Sequence, residues 1–251
     1  MTISLYPPQA GSTASTSSAP WYMQVARGLV PGATSINVYG YTETATSGIY
    51  GAVWEGSTSS VGYTPPSAAG VPVYASTSSE TVTLLVTVTD ASYNLVTDTV
   101  TFAGSTTGTA TSGQSFFRIN SMRLQTGINA GTITAKISTV TYAQIKPGTG
   151  QTQMSVYTVP LGYTFYLLRA QVYANNNGSQ YTTYRVSSNI VGTGPQVELV
   201  NSPFFADYLS LRVVPRSYAQ KTDIQWQVNN SAINGHVGVQ VEGVLISNTA
   251  P

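Results

Sequence analysis

His236 is the only histidine among 251 residues, and the chain has no cysteine. Thiolate nucleophiles and disulfides are thereby excluded, as are zinc sites, which draw on several His or Cys ligands. A serine triad would have to use His236, and no Gly-x-Ser-x-Gly occurs to present the serine. His236 directly follows Asn234-Gly235, a tight-hairpin dipeptide, which predicts an exposed imidazole at a turn instead of a buried base. Phosphate cradles are missing too. There is no Gly-Lys dipeptide and no Gly-x-Gly-x-x-Gly, and the Gly-Thr-Gly runs at 148–150 and 192–194 lie in turns and open no helix. No catalytic, cofactor-binding or metal-binding residue is assigned.

Carboxylate chemistry stays open, because a glycosidase needs only two acids and the chain has nine. Asp98 stands out, since it interrupts the apolar face Val96, Val100, Phe102 of a predicted strand; the simpler reading is a strand-edge or interface carboxylate. Asp90 with Asn94 could offer oxygens to calcium, although a turn held by side-chain hydrogen bonds explains the pair more cheaply.

The positive signal is tyrosine, present seventeen times. Tyr157, Tyr163, Tyr166, Tyr173, Tyr181 and Tyr184 crowd one stretch beside Arg169 and Arg185. Tyrosine and arginine are favoured at protein interfaces, where they combine contact area with polar tips, so these eight residues form the expected interface set. Sugars also stack on tyrosine, which makes a glycan a second candidate ligand. About half of the tyrosines are expected in the core.

These residues need a scaffold, and the composition describes it. Hydrophobic residues make up 41% of the chain, enough for a substantial core, yet charged residues only 8% against roughly a quarter in ordinary soluble domains. Hydroxyls and amides must cover the surface, which suits large assemblies because such groups are buried without desolvating ions. Residues 1–112 carry five acids against Arg27 alone, a net charge of −4, while residues 113–251 carry nine basic and four acidic residues, a net charge of +5. The basic residues are too dilute for a nucleic-acid stripe, and no apolar run reaches the roughly 20 residues that span a bilayer. No basic-then-apolar leader is visible at the N-terminus, which predicts assembly in a cytoplasm.

The apolar period is close to two from Trp21 onward. TVTLLVTVT (81–89) alternates Val and Leu with Thr, and LVTDTVTF (95–102) follows after a turn, as in a hairpin. Short strands over 21–103 predict an immunoglobulin-like β-sandwich, preceded by an extended arm at 1–20. GSTTGTATSGQ (104–114) reads as a linker. Longer strands over 115–251, with hairpin signals at Asn177-Gly178 and Asn234-Gly235, predict a second sandwich of jelly-roll type. The expected fold class is all-β, with two sandwich domains and homo-oligomeric packing.

QTQMSVYTVPLGYTFYLLRAQVYA (151–174), with FFRINSMRL (116–124), AGTITAKI (130–137) and KTDIQWQV (221–228), resembles virion structural proteins of tailed phages that infect marine cyanobacteria and other marine bacteria. INVYGY (36–41), AVWEGSTSSVGYTPPSAA (52–69) and VTDASYNLVTDTVTF (88–102) are similar to the same proteins. The resemblance implies a virion component made in a bacterial cytoplasm, with major capsid or tail proteins as partners and no catalytic residues to carry over. A capsid decoration protein that bridges shell subunits is the leading expectation. A tail appendage or fibre that binds host-surface glycan is the alternative, and a glycoside-cleaving depolymerase is a third.

Overall fold

The computed structural model describes residues 19–45, 48–54, 56, 63–175, 181–190, 194–204, 206–231 and 235–249. The chain is all-β, and the described residues form one short helix and fourteen strands whose pairings are all antiparallel. Helix α1 is Trp21–Ala26, followed by β1 (Ala33–Ala45) and β2 (Gly51–Ala52). Strands β3 (Val73–Thr89), β4 (Leu95–Ala110), β5 (Arg118–Thr126), β6 (Ile133–Ile137) and β7 (Val140–Ile145) come next. The last seven are β8 (Val156–Thr158), β9 (Tyr163–Asn175), β10 (Thr182–Ile190), β11 (Gly194–Phe204), β12 (Asp207–Tyr218), β13 (Thr222–Asn230) and β14 (Gly235–Ser247).

Two sheets form a sandwich. Sheet A runs β1-β14-β9-β12, and sheet B runs β11-β10-β13, with β2 and β8 end to end on the free side of β13. With β2 and β8 counted as halves of one interrupted strand, sheet A holds the first, eighth, third and sixth strands. Sheet B then holds the fifth, fourth, seventh and second. That is the double Greek-key connectivity of a jelly roll. Period-two alternation aims Val38, Phe165, Leu167, Val239 and Val241 of sheet A at Tyr184, Val186, Ile224, Trp226 and Val228 of sheet B, and these close one core.

Strands β3–β7 are inserted within the interrupted strand and form one sheet with its own core. Val82, Leu84, Val86 and Val88 of β3 are all buried, as their alternation predicts. β3 pairs β4 along one edge, while its other edge pairs β6 over Val73–Ser76 and β5 over Thr83–Thr89. Irregular register between Ala75 and Thr81 marks where the strand bends between these partners.

The domain boundaries therefore differ from those expected. Residues 104–110 are no linker but the outer end of β4, where Thr107 and Gly108 pair Ala75 and Tyr74. The segment read as an immunoglobulin-like sandwich over 21–103 is divided. Its first strand, β1, pairs β14 of the jelly roll, while β3 and β4 share their sheet with β5–β7 from beyond residue 115. Residues 1–18 of the arm expected at 1–20 and the Asn177-Gly178 hairpin lie outside the described residues.

The junction is tied polarly. Arg118 of β5 donates from Nε and Nη2 to the Asp223 carboxylate of β13 (Nη2 to Oδ2, 2.8 Å), and from Nη1 to the carbonyls of Pro66 and Phe117. Thr158 Oγ1 donates to Asp223 Oδ1 at 2.6 Å, and Asn120 exchanges two hydrogen bonds with the Thr158 backbone. At the break between β2 and β8, buried Ser155 accepts from Val53 N and donates to the Trp226 carbonyl. Gly40 of β1 is needed opposite: a Cβ there would lie 2.4 Å from the Val53 carbonyl oxygen.

Candidate interaction face

The outer face of sheet A is built by register. Tyr41, Gly238, Tyr173 and Asp207 stand in one row across β1, β14, β9 and β12. Tyr39, Gln240, Gln171 and Leu209 form the next row, then Asn37, Glu242, Arg169 and Leu211. The Cβ direction of Gly238 confirms which side this is, since it points between the Tyr39 hydroxyl (3.6 Å) and the Tyr173 ring (3.8 Å). Arg169 donates to Gln171 Oε1 and lies 3.7 Å from Glu242 Oε1, and Gln240 donates to the same Glu242 oxygen. At just over one-third exposure this ion pair orients side chains more than it stabilises the fold.

Beyond a bulge between Glu242 and Gly243, helix α1 covers the face: Trp21 and Val25 pack on Val244, Leu168 and Ile246. At the free edge, β12 leaves its register with β9 between Leu211 and Arg216. The rim it makes is apolar and open: Leu209 is 47% exposed, Leu211 68%, Val214 79% and Val213 97%. The Leu and Val that a core would take are here turned to the outside. The bulge and Pro215 blunt the edge against strand addition, so the rim offers side chains and not a backbone ladder.

The eight expected interface residues are dispersed. Arg169 and exposed Tyr173 lie on the outer face of sheet A, and Tyr166 stands on β9 opposite Val244 and Ser217. Tyr157 and Tyr184 are core residues, and Tyr163 packs against the same core, because their strand parity points them inward. Tyr181 is exposed at the start of β10, while Arg185 donates to Gln227 on sheet B and lies 4.2 Å from the Tyr50 ring centroid. Sequence reading missed Tyr39, Tyr41 and the β12 rim. Alternation in INVYGYTE places Tyr39 and Tyr41 on one side, but which sheet that side belongs to depends on β14, two hundred residues away.

Asp98 and Asp90, the acids singled out in the sequence, and buried Glu80 are held by hydrogen bonds. Asp98 accepts from Thr99 N, Ser112 N and Ser112 Oγ, clamping the chain as it leaves β4. Asp90 accepts from Ser92 N, Asn94 N and Asn94 Nδ2; chiefly the Asn94 side chain holds its carboxyl below the usual aspartate range. Buried Glu80 accepts from Ala130 N, Gly131 N and Ser76 Oγ. Exposed His236 opens β14, with Nδ1 2.9 Å from the Tyr41 hydroxyl. Among the described residues no group of three His, Cys, Asp or Glu is placed to hold a metal ion, and no helix is long and apolar enough to cross a membrane.

No protein-family model, curated protein or solved structure matches the chain.

Proposed function

We propose that the chain is a structural protein of a tailed-phage virion, acting as a capsid decoration protein that bridges shell subunits. The observation that carries this reading is the β12 rim. Four large aliphatic side chains stand in solvent on one edge of a chain with only 8% charged residues. Exposed apolar patches of this kind mark protein contact surfaces, and the polar, tyrosine-rich face beside the rim suits a wet periphery around a dry centre. The jelly roll is compatible, being a common capsid architecture, but a fold alone does not fix a function. The phage assignment is drawn from the sequence resemblance. The hydrogen-bonded Asp90 and Asp98, the acids singled out in the sequence, favour a packing role over a depolymerase built on them.

Quantitative mass spectrometry of purified virions tests the assignment. Decoration predicts a copy number comparable with that of the major capsid protein. A few copies per particle would place the chain in the tail instead, and absence from the particle would reject a virion role. Under the same proposal residues 1–20 tie neighbouring copies together, so their removal lowers occupancy on particles; undiminished occupancy contradicts that part.

A further inference from the structure

At the β1 edge of the outer face, an open groove of about 300 Å³ lies between sheet A and the inserted unit. Tyr39, Tyr41 and Glu43 line it from β1, and Lys146, Thr149 and Gln153 line it from the segment joining β7 to β8. We propose that this groove is a binding subsite for a pyranose unit of a neutral glycan.

The chemistry matches on three counts. Tyrosine rings give a flat apolar surface for the C–H face of a sugar, with a hydroxyl at the edge for its polar rim. Around them stand an acceptor (Glu43) and groups that both donate and accept (Thr149 and Gln153), the set that pairs with vicinal hydroxyls. One formal negative charge (Glu43) and one positive (Lys146) line the groove, so it has no surplus positive charge to draw an anionic ligand, and a phosphate or uronate would meet Glu43. The volume is at the lower end of small-molecule sites, which run from ~300 to ~1,000 Å³.

The walls are also held. Tyr41 meets the His236 ring edge-on, 6.3 Å between centroids, in addition to the hydroxyl contact. Beneath β1, Gly40 packs against Val53 and Ser155, which hydrogen-bond to each other and to β13, so the two walls belong to one framework. A ring already fixed in place loses little freedom when a ligand stacks on it. This inference does not depend on the docking role of the rim.

Saturation-transfer NMR on the full chain provides the test, with maltose, cellobiose and lactose as neutral probes and sialyllactose as the anionic comparison. The expected result is transfer to ring protons of at least one neutral disaccharide. It should weaken about tenfold in Tyr41→Ala and about threefold in Glu43→Gln, and stay unchanged in Tyr181→Ala on the sheet B side and in Val213→Asp on the rim. Glu43 is exposed, so its amide variant keeps the fold and remains informative if Tyr41→Ala does not. No transfer from any neutral probe, equal transfer in Glu43→Gln, loss in Tyr181→Ala, or preference for sialyllactose would each overturn the proposal.

Discussion

Individual polar side chains hold this molecule together at places where apolar packing does not reach. Arg118 and Asp223 are both about nine-tenths buried, and every nitrogen of the guanidinium has an acceptor. Removing one partner leaves the other charge buried and unpaired, so Arg118→Met or Asp223→Asn should cost about 3–5 kcal/mol in urea unfolding. A loss below about 1 kcal/mol would mean that water reaches the pair. Glu80 gives a pH signature. Burial pushes its carboxyl up, but the N–H groups of Ala130 and Gly131 and the Ser76 hydroxyl outweigh that and hold it below the ordinary glutamate value of 4.5. A carboxylate with a lowered folded value contributes stability above its unfolded value and loses it as pH falls through the folded one. The stability gap between the wild type and Glu80→Gln should therefore be full near about pH 7 and shrink below about pH 4.5; a gap independent of pH would contradict this role.

Elements show where the sequence was legible. The alternation of β3 named its buried side chains correctly, because a half-buried strand writes its inner face into its own residues. Pairing across long separations leaves no such mark. β1 carries the same alternation whether it joins a nearby hairpin or β14, and only the tertiary fold selects β14. GSTTGTATSGQ (104–114) reads as a linker because it holds no large apolar residue. Yet small residues are what the outer end of β4 needs, since a Cβ at Gly108 would lie 2.5 Å from the Phe102 ring. Close approach also governs β1. Gly40→Val should lower stability by about 1–3 kcal/mol or more, read from the thermal midpoint, because the side chain would press on Val53 and Ser155. The β12 rim behaves oppositely: Leu211→Asp and Val213→Asp should change unfolding free energy by less than about 0.5 kcal/mol, since neither side chain is buried.

On the scale of the whole molecule, the two β units do not divide the chain at one point. The jelly roll takes β1 and β2 from the N-terminal part and β8–β14 from the C-terminal part, and the five-stranded sheet sits inside its interrupted strand. The charge contrast between residues 1–112 and 113–251 is thus spread over both units instead of separating them. Ala52, Trp54, Met154 and Val156, at the two ends of the interruption, pack into the core of the inserted sheet. With this shared packing and the Arg118–Asp223 tie, calorimetry should give a single transition whose van't Hoff and calorimetric enthalpies agree; two resolved transitions would mean that the units are energetically independent.

The proposed docking of the β12 rim against a neighbouring protein can be measured directly. The measurement is the occupancy of purified protein on virus particles stripped of it, comparing the wild type with the Leu211→Asp/Val213→Asp double variant. The wild type should bind saturably and the variant at least tenfold more weakly, with unfolding midpoints unchanged. Equal occupancy by a folded double variant would contradict it.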